Sequence, residues 1–388
     1  MKVVMMSPHF PPNYDLFSVH LNDLGATVLG IGDMARGALP ERLGRALTDY
    51  YRVEDMHRGD QLEEALRYFT GRYGRIDRIE SHNDHWLDSD AGMRAALDIP
   101  GPRPSDLRCM RRKSLMKPLF AEAKIRTPRW HLVTSPGDAE RWVKETGFPV
   151  VAKPDGGVGA ADTFRISRDE ELARFLSEKA DAEFIMEEFI DGRIFTFDGL
   201  TDGQGRIVFC SSLQYGSGMM ELENEQLDVF FYTLREIPAD LEAAGRRVVQ
   251  AFDIRERFFH IEFFRTTAEE ELVALEINAR PPGGPILDMY NHASGIDLYL
   301  WWAQAVTGKG RLPKTLSKPY HCAYLGRRWG RRYVHTHGEV LNALAAMIIH
   351  HAPVPKVFST AMGDCYYLLR SQRLEDIHLA SMYLFASA

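Results

Sequence analysis

Two apolar runs in the second half of the chain set the strongest limit on its fold. Phe259-His260-Ile261-Glu262-Phe263-Phe264 and Leu272-Val273-Ala274-Leu275-Glu276-Ile277-Asn278 have the composition of buried strands, yet each carries a glutamate near its middle. Acidic residues are disfavoured in strands, and burying a carboxylate without a partner is costly. Alternation puts Glu276 and Asn278, two apart, on one face. If the runs pair antiparallel, Glu262 joins them in an all-oxygen site of the kind Mg²⁺ prefers alongside water and substrate phosphates. A solvent-facing sheet edge with scattered charge is the plainer alternative, and the apolar flanks argue against it.

Upstream, Pro149-Val-Val-Ala-Lys153-Pro-Asp-Gly156-Gly157-Val-Gly159-Ala-Ala161 delivers a lysine from an apolar strand into a loop with three glycines. Glycines let main-chain N–H groups approach an anion, and the lysine adds a compact positive charge. The combination suits a polyphosphate. It is neither a P-loop nor a dinucleotide fingerprint, because GxxxxGK[ST] and GxGxxG are absent here. Judged alone, an ordinary hairpin turn with an exposed lysine fits equally well. Between these segments, Phe184-Ile-Met-Glu187-Glu188-Phe189-Ile190-Asp191-Gly192 reads as a strand ending in two carboxylates and a glycine turn. Its backbone could meet a purine edge, although by itself a strand running into a turn is the simpler reading.

The first hundred residues alternate short apolar runs (2–6, 27–31, 50–53, 78–81) with amphipathic stretches (16–24, 62–73), the pattern of a parallel sheet with helical crossovers. Pro100, Pro102 and Pro104 break the chain. Beyond them the spacing predicts helices over 106–124 (with Ser105 as its cap), 170–179, 239–252 and 298–307. Strands are predicted over 148–153, 184–189, 206–213, 258–265 and 271–277. The fold class expected is thus α/β followed by α+β, in three parts: 1–104, 105–308 and 309–388.

The 388 residues carry a net charge of −7, which argues against a surface built for nucleic acid or an anionic membrane. The four cysteines form no CxxC pair, so a disulfide scaffold or zinc module is not expected. No window approaches a membrane span, and the expected setting is the cytoplasm. Arg327, Arg328, Arg331 and Arg332 read as a solvated basic face, and His335, His337, His350 and His351 lack carboxylate partners in a ligand pattern.

Taken in order, these segments resemble the ATP-grasp superfamily and, within it, the carboxylate–amine ligases, including the biotin-carboxylase-like branch. The resemblance opens at Arg112-Lys113-Ser-Leu-Met-Lys117, similar to the family's Asp-Lys-x-x-x-Lys helix, and at Ala123-Lys-Ile-Arg-Thr-Pro128. It runs on through PVVAKPDGGVGA, FIMEEFIDG and ALEINARPPGG to about Gly284. It implies a Rossmann-like domain ahead of a two-subdomain ATP-grasp core, with a small C-terminal α+β segment behind. It further implies that Lys113 and Lys153 contact phosphates under a loop made by Gly156, Gly157 and Gly159. By the same carry-over, Glu187 accepts from the adenine amino group, Glu188 and Ile190 give main-chain contacts to the adenine, and Phe189 lies beside them. Glu262, Glu276 and Asn278 hold Mg²⁺ (Mn²⁺ being the alternative), Arg280 steadies the transferred phosphoryl or the substrate carboxylate, and Arg280 and Lys153 form the catalytic set. Two positions depart from the pattern: Arg112 stands where the family has Asp, and Ile194 where a ribose-binding glutamate often stands, leaving Asp191 or Asp198 for the ribose.

The implied activity is an ATP- and Mg²⁺-dependent ligase that activates a carboxylate as an acyl phosphate and joins it to an amine, releasing ADP and phosphate. Its partners would be a small carboxylate and a small amine, with acceptor contacts from the N-terminal domain and the loop at 215–225, and a second copy of the chain pairing through the N-terminal sheet. A bicarbonate-activating enzyme and a non-catalytic nucleotide-binding regulator are the alternatives.

Overall fold

The computed structural model describes all residues except 158–161, 180–181, 217–226, 311, 314–315 and 388. The N-terminal strands β1 (Lys2–Met6), β2 (Thr27–Gly32), β3 (Asp49–Arg52) and β4 (Arg78–Glu80) form a parallel sheet in the order β3-β2-β1-β4. Helices Asp15–Asp23 and Gly59–Tyr73 connect and cover it. Val3, Val4, Met5 and Met6 are all buried, which is why the strand reads as a continuous apolar run rather than an alternating one.

A second sheet is antiparallel and small: β5 (Trp130–Leu132), β6 (Val150–Pro154), β7 (Phe164–Ile166) and β8 (Phe184–Glu188), ordered β5-β8-β6-β7. Helices Pro136–Thr146 and Asp169–Glu178 pack Val143 and Phe175 onto Val150, Ala152 and Met186.

The large sheet holds β9 (Gly192–Thr201), β10 (Ile207–Ser211), β11 (Leu213–Tyr215), β12 (Val229–Thr233), β13 (Phe258–Thr266), β14 (Leu272–Asn278), β15 (His321–Arg327), β16 (Ile348–Pro353) and β17 (Cys365–Ser371). Its order is β14-β13-β9-β11-β12-β15-β17-β16, with β10 also on β9. Helix Ala239–Ala251 buries Leu241, Ala244 and Val248 behind it, and helix Leu298–Thr307 joins it to the N-terminal layer, where Phe17 meets Tyr299 and Trp302 edge-on. No helix among the described residues is long and apolar enough to cross a membrane.

Several elements differ from the expectation. The long central strand β9 goes unannounced because Asp198 and Gly199 interrupt its apolar pattern. Gly199 is needed there: a Cβ would sit 2.3 Å from the Phe209 carbonyl and 2.4 Å from the Phe259 ring. The helix expected over 106–124 is two helices, Pro104–Arg111 and Lys113–Glu122, separated by an extended Arg112. Ser105 does not cap the first. Its opening turn is closed by Asp106, which accepts the Arg103 N–H at 2.8 Å. The strands beyond residue 308 extend the large sheet directly from β12. Within them, Arg327 and Arg328 are not a solvated face but are buried, the guanidinium of Arg328 donating to the carbonyls of Leu227, Ser359 and Thr360 at 2.8–3.1 Å. Arg331 and Arg332 remain exposed.

Candidate active site

The register of β13 and β14 sets Glu262 opposite Glu276 and His260 opposite Asn278. One face of the hairpin thus carries all four polar side chains, as alternation requires. On the other side of β13, His260 pairs with Asp198 of β9 and Glu262 with Thr196. His260 lies between two acceptors, Nδ1 at 2.6 Å from Asp198 Oδ1 and Nε2 at 3.0 Å from Glu262 Oε1. Burial alone would keep this imidazole neutral, but Asp198 and then Glu262 outweigh it and push the group up to about 10. A buried imidazolium therefore offsets part of the charge of the Glu262–Glu276 pair. Asn278 donates its amide to Glu276 Oε1 at 3.2 Å, which leaves its carbonyl oxygen for another partner.

The small sheet supplies the facing wall. Lys153 of β6 and Glu187 of β8 meet with Nζ 2.7 Å from Oε2, and Lys117 pairs with the other carboxylate oxygen. Burial would raise the Glu187 carboxyl; Lys117 and Lys153 reverse this and hold it at about 2. Burial lowers the Lys117 ammonium. Lys113 donates to the Gly157 carbonyl at 3.2 Å and approaches Glu276 Oε2 to 4.0 Å, so it joins the glycine loop to the carboxylate pair. Burial likewise lowers its ammonium, against the pull of Glu276. The Glu276 carboxyl is depressed: burial would raise it, and Lys113 and Lys153 win.

A cavity of about 630 Å³ opens between these walls. It is lined by Lys113, Lys153, Gly157 and the run Glu187–Ile190 on one side, and by Glu262, Glu276, Asn278 and Arg280 on the other. Of the residues singled out from sequence, Gly156 stands beside it, bridging to Arg112, and Gly159 lies outside the described residues. So does most of the loop at 215–225, of which Tyr215 and Gly216 are described.

The edge run from Glu187 to Ile190 shows how backbone groups become available. The Glu188 N–H donates to the Arg129 carbonyl at 2.9 Å, but the Arg129 N–H turns to the Glu188 carboxylate at 3.0 Å rather than to its carbonyl. The Arg129 guanidinium adds a bond at 2.8 Å. Any adenine contact from Glu188 must therefore use its carbonyl oxygen, beside the Ile190 backbone. Phe189 carries the Arg165 guanidinium 4.2 Å above its ring.

Both oxygens of the cavity-lining Glu187 carboxylate face buried lysines, so an adenine amino group would share those oxygens with them. One expectation needs correction. Asp198 is not available to a ribose: it is buried and bonded to Thr196, His260 and Tyr290. Asp191 does line the cavity. Arg280 lines it too, paired with Asp84 and donating to the Pro281 carbonyl at 2.9 Å. Asp84, Asp155, Lys117 and His260 were not assigned roles from sequence. The missing Asp before Lys113 was the one signal available, since it calls for a carboxylate from elsewhere, and Asp155 is that carboxylate.

The donor set is hard oxygen: two opposed carboxylates and an amide. No group of three or more His, Cys, Asp or Glu among the described residues could hold a metal. Two carboxylates, an amide, waters and phosphate oxygens together fit Mg²⁺, which rarely uses an all-protein cage.

Residues 146–288 match the model of the ATP-grasp domain. The core of this chain is an ATP-grasp domain. D-alanine–D-alanine ligase B of Clostridium perfringens is 29% identical over 152 residues, 37% of this chain and 46% of that protein. The L-arginine-specific L-amino acid ligase of Bacillus subtilis is 25% identical over 237 residues, 59% and 57% of the two chains. This chain thus spans about half the length of these curated relatives. Among solved structures, L-amino acid ligase from Bacillus licheniformis superposes with a TM-score of 0.75 at 15% identity, over 99% of this chain and 96% of that one. That likeness gives the ATP-grasp domain its surrounding fold, with the parallel sheet ahead of it and the large antiparallel sheet through it.

Proposed function

We propose that the protein is an ADP-forming ligase that uses ATP and Mg²⁺ to join a small carboxylate to a small amine. One observation carries the reading: a single cavity is lined at once by two lysines, Gly157 and an opposed glutamate pair. Phosphoryl transfer depends mostly on positioning and charge neutralisation, and this set is composed for both. The relatives, ligases of amino acids by name, support the same chemistry.

In this reading Lys113 and Lys153 draw the phosphate oxygens together, and the backbone of Gly156, Gly157 and Gly159 closes over them and excludes water. Glu262, Glu276 and Asn278 hold Mg²⁺, which neutralises charge on the phosphate oxygens. Glu188 and Ile190 present main-chain groups to the adenine with Phe189 beside it, Asp191 reaches the ribose, and Arg280 steadies the transferred phosphoryl or the substrate carboxylate. The carboxylate oxygen bonds to the terminal phosphorus of ATP as the bond from that phosphorus to the ADP oxygen breaks, and ADP leaves. The amine nitrogen then forms the C–N bond as the C–O bond to phosphate breaks, phosphate leaving and the nitrogen giving up its proton to solvent. We place the domains at 1–104, 105–308 and 309–388, and the protein in the cytoplasm, with copies pairing through the N-terminal sheet.

The test is release of ADP and phosphate from ATP and Mg²⁺ with a panel of carboxylic acids, bicarbonate among them, and amines. ADP release that requires one acid and one amine supports the reading. AMP release, ADP release with bicarbonate alone, or no turnover while nucleotide still binds would overturn it.

A further inference from the structure

One face of the large sheet changes character from its edge to its middle. It begins with Glu276 and Glu262, passes Thr196 on β9, and continues onto Tyr215, Phe231 and Tyr324. The face is continuous because Gln214 opposes Phe195, which places Tyr215 on the side of Thr196. Tyr215, Phe231, Tyr324 and Tyr366 follow one another with ring centroids 5.2, 4.8 and 5.1 Å apart, about the spacing of neighbouring strands. The first two rungs of this aromatic ladder, Tyr215 and Phe231, line the same cavity as the glutamate pair.

The wall completing that half of the cavity comes from the C-terminal segment: Phe358, Ala361 and Met362. It is held by partly buried hydrogen bonds. The Tyr324 hydroxyl donates to the Met362 carbonyl at 2.7 Å, and Arg328 holds the carbonyls of Ser359 and Thr360. Met362 lies so close that a Cβ on Gly284 would sit 2.6 Å from its methyl group. Rings and a thioether thus border this end, and of the charged pair nearby Arg280 gives its Nε to Asp84 and its Nη1 to the Pro281 carbonyl.

We infer that this end of the cavity is a side-chain subsite, and that one of the two substrates carries an aromatic side chain into it. The inference rests on the ligase reading and deepens it. Aromatic groups gain from ring–ring and sulfur–ring contacts beyond their buried area. A charged side chain would lose its hydration there without a partner.

L-Phenylalanine serves as the probe, because it carries an amine and a carboxylate and so can enter in either substrate role. Calorimetry in the presence of Mg²⁺ and a non-hydrolysable ATP analogue should show it binding at least tenfold more tightly than L-alanine, L-aspartate or L-lysine. Phe231→Leu, which removes a ring but keeps a large apolar side chain, should weaken it about tenfold. Ala361→Phe, which fills the chamber, should abolish it; should either variant fail to fold, the other decides. Equal binding of all four amino acids, tighter binding of a small or charged one, or no binding of L-phenylalanine overturns the subsite. Because binding is read without turnover, that result is separate from the ADP-release assay, on which the ligase reading stands or falls.

Discussion

Asp155, at the root of the glycine loop, caps the helix that carries Lys113: its carboxylate accepts the Ser114 N–H at 2.7 Å and the Ser114 hydroxyl at 2.9 Å. Its main-chain oxygen accepts the Lys113 N–H at 2.8 Å. Arg112, in the place of an expected aspartate, donates to the same carboxylate at 2.8 Å. The negative charge at this helix N-terminus therefore arrives from the loop, where it answers both the orphan N–H groups and the helix dipole. Loop root and the start of the Lys113 helix are consequently one unit.

Removing that carboxylate should be costly. Asp155→Ala loses a cap and charge-assisted bonds, about 3 kcal/mol together, and should raise the KM for ATP by loosening Lys113 against the loop. Arg112→Ala should cost less. Urea denaturation of the two single variants and the double variant should reveal coupling of about 1 kcal/mol. Strict additivity would show that the Arg112–Asp155 contact does not stabilise the loop root.

The glutamate pair makes a different prediction, about the divalent cation. Glu262 and Glu276 oppose each other, so losing either leaves one carboxylate and the Asn278 amide. Glu276→Ala should reduce ADP release on the order of 10²–10³-fold, and the Mg²⁺ concentration for half-maximal activity of the residual enzyme should rise. An unchanged Mg²⁺ dependence in Glu276→Ala would remove Glu276 from the metal site.

These positions also show what the sequence discloses. The Glu262–Glu276 pairing was legible because charge inside an apolar strand is anomalous and alternation fixes its face. Lys153 was legible because the glycines follow it at once. Asp155 was not, since its partners Ser114 and Arg112 are about forty residues away and only the fold brings them together. The same holds for Glu187, whose two lysines come from a helix and a neighbouring strand. Arg328 misled for a related reason: a run of arginines looks solvated until one of them meets three carbonyls. The aromatic ladder was illegible because β9 and β12 were hidden, and its rungs are scattered between Tyr215 and Tyr366.

Arg257 tests how the N-terminal layer supports the site. It donates to the Ala279 carbonyl at 3.0 Å and to Glu80 at 3.1 Å, tying β4 to the turn between Asn278 and Arg280. Glu80 and Arg257 are both buried. Breaking such a pair from one side costs roughly 3–5 kcal/mol. Glu80 also faces Arg94 at 3.7 Å, so Arg257→Met leaves it one cation and should lose somewhat less than that, while adding Glu80→Gln, which takes that carboxylate from Arg94 as well, should cost more. Thermal unfolding of the two variants beside the wild type checks the order; a double variant more stable than Arg257→Met would contradict it.

Glu187 gives a prediction with a defined pH window. Its carboxyl falls from an ordinary 4.5 to about 2 on folding, through Lys117 and Lys153 acting against burial. The folded state thus binds its proton more weakly than the unfolded chain does. The resulting stability, about 3 kcal/mol, is fully present above pH 4.5 and is lost as the pH falls through 2. Glu187→Gln removes the anion and leaves two buried ammonium groups unpaired, so it should be strongly destabilised at pH 7. As the pH drops toward 3, the unfolded wild-type chain takes up a proton that the folded state still excludes, so its advantage shrinks and the gap should close. Urea midpoints of the two proteins between pH 7 and pH 3 should therefore converge. A gap constant across that range would mean that the Glu187 carboxyl binds its proton equally in the folded and unfolded states, and that its two lysines do not hold it as an anion.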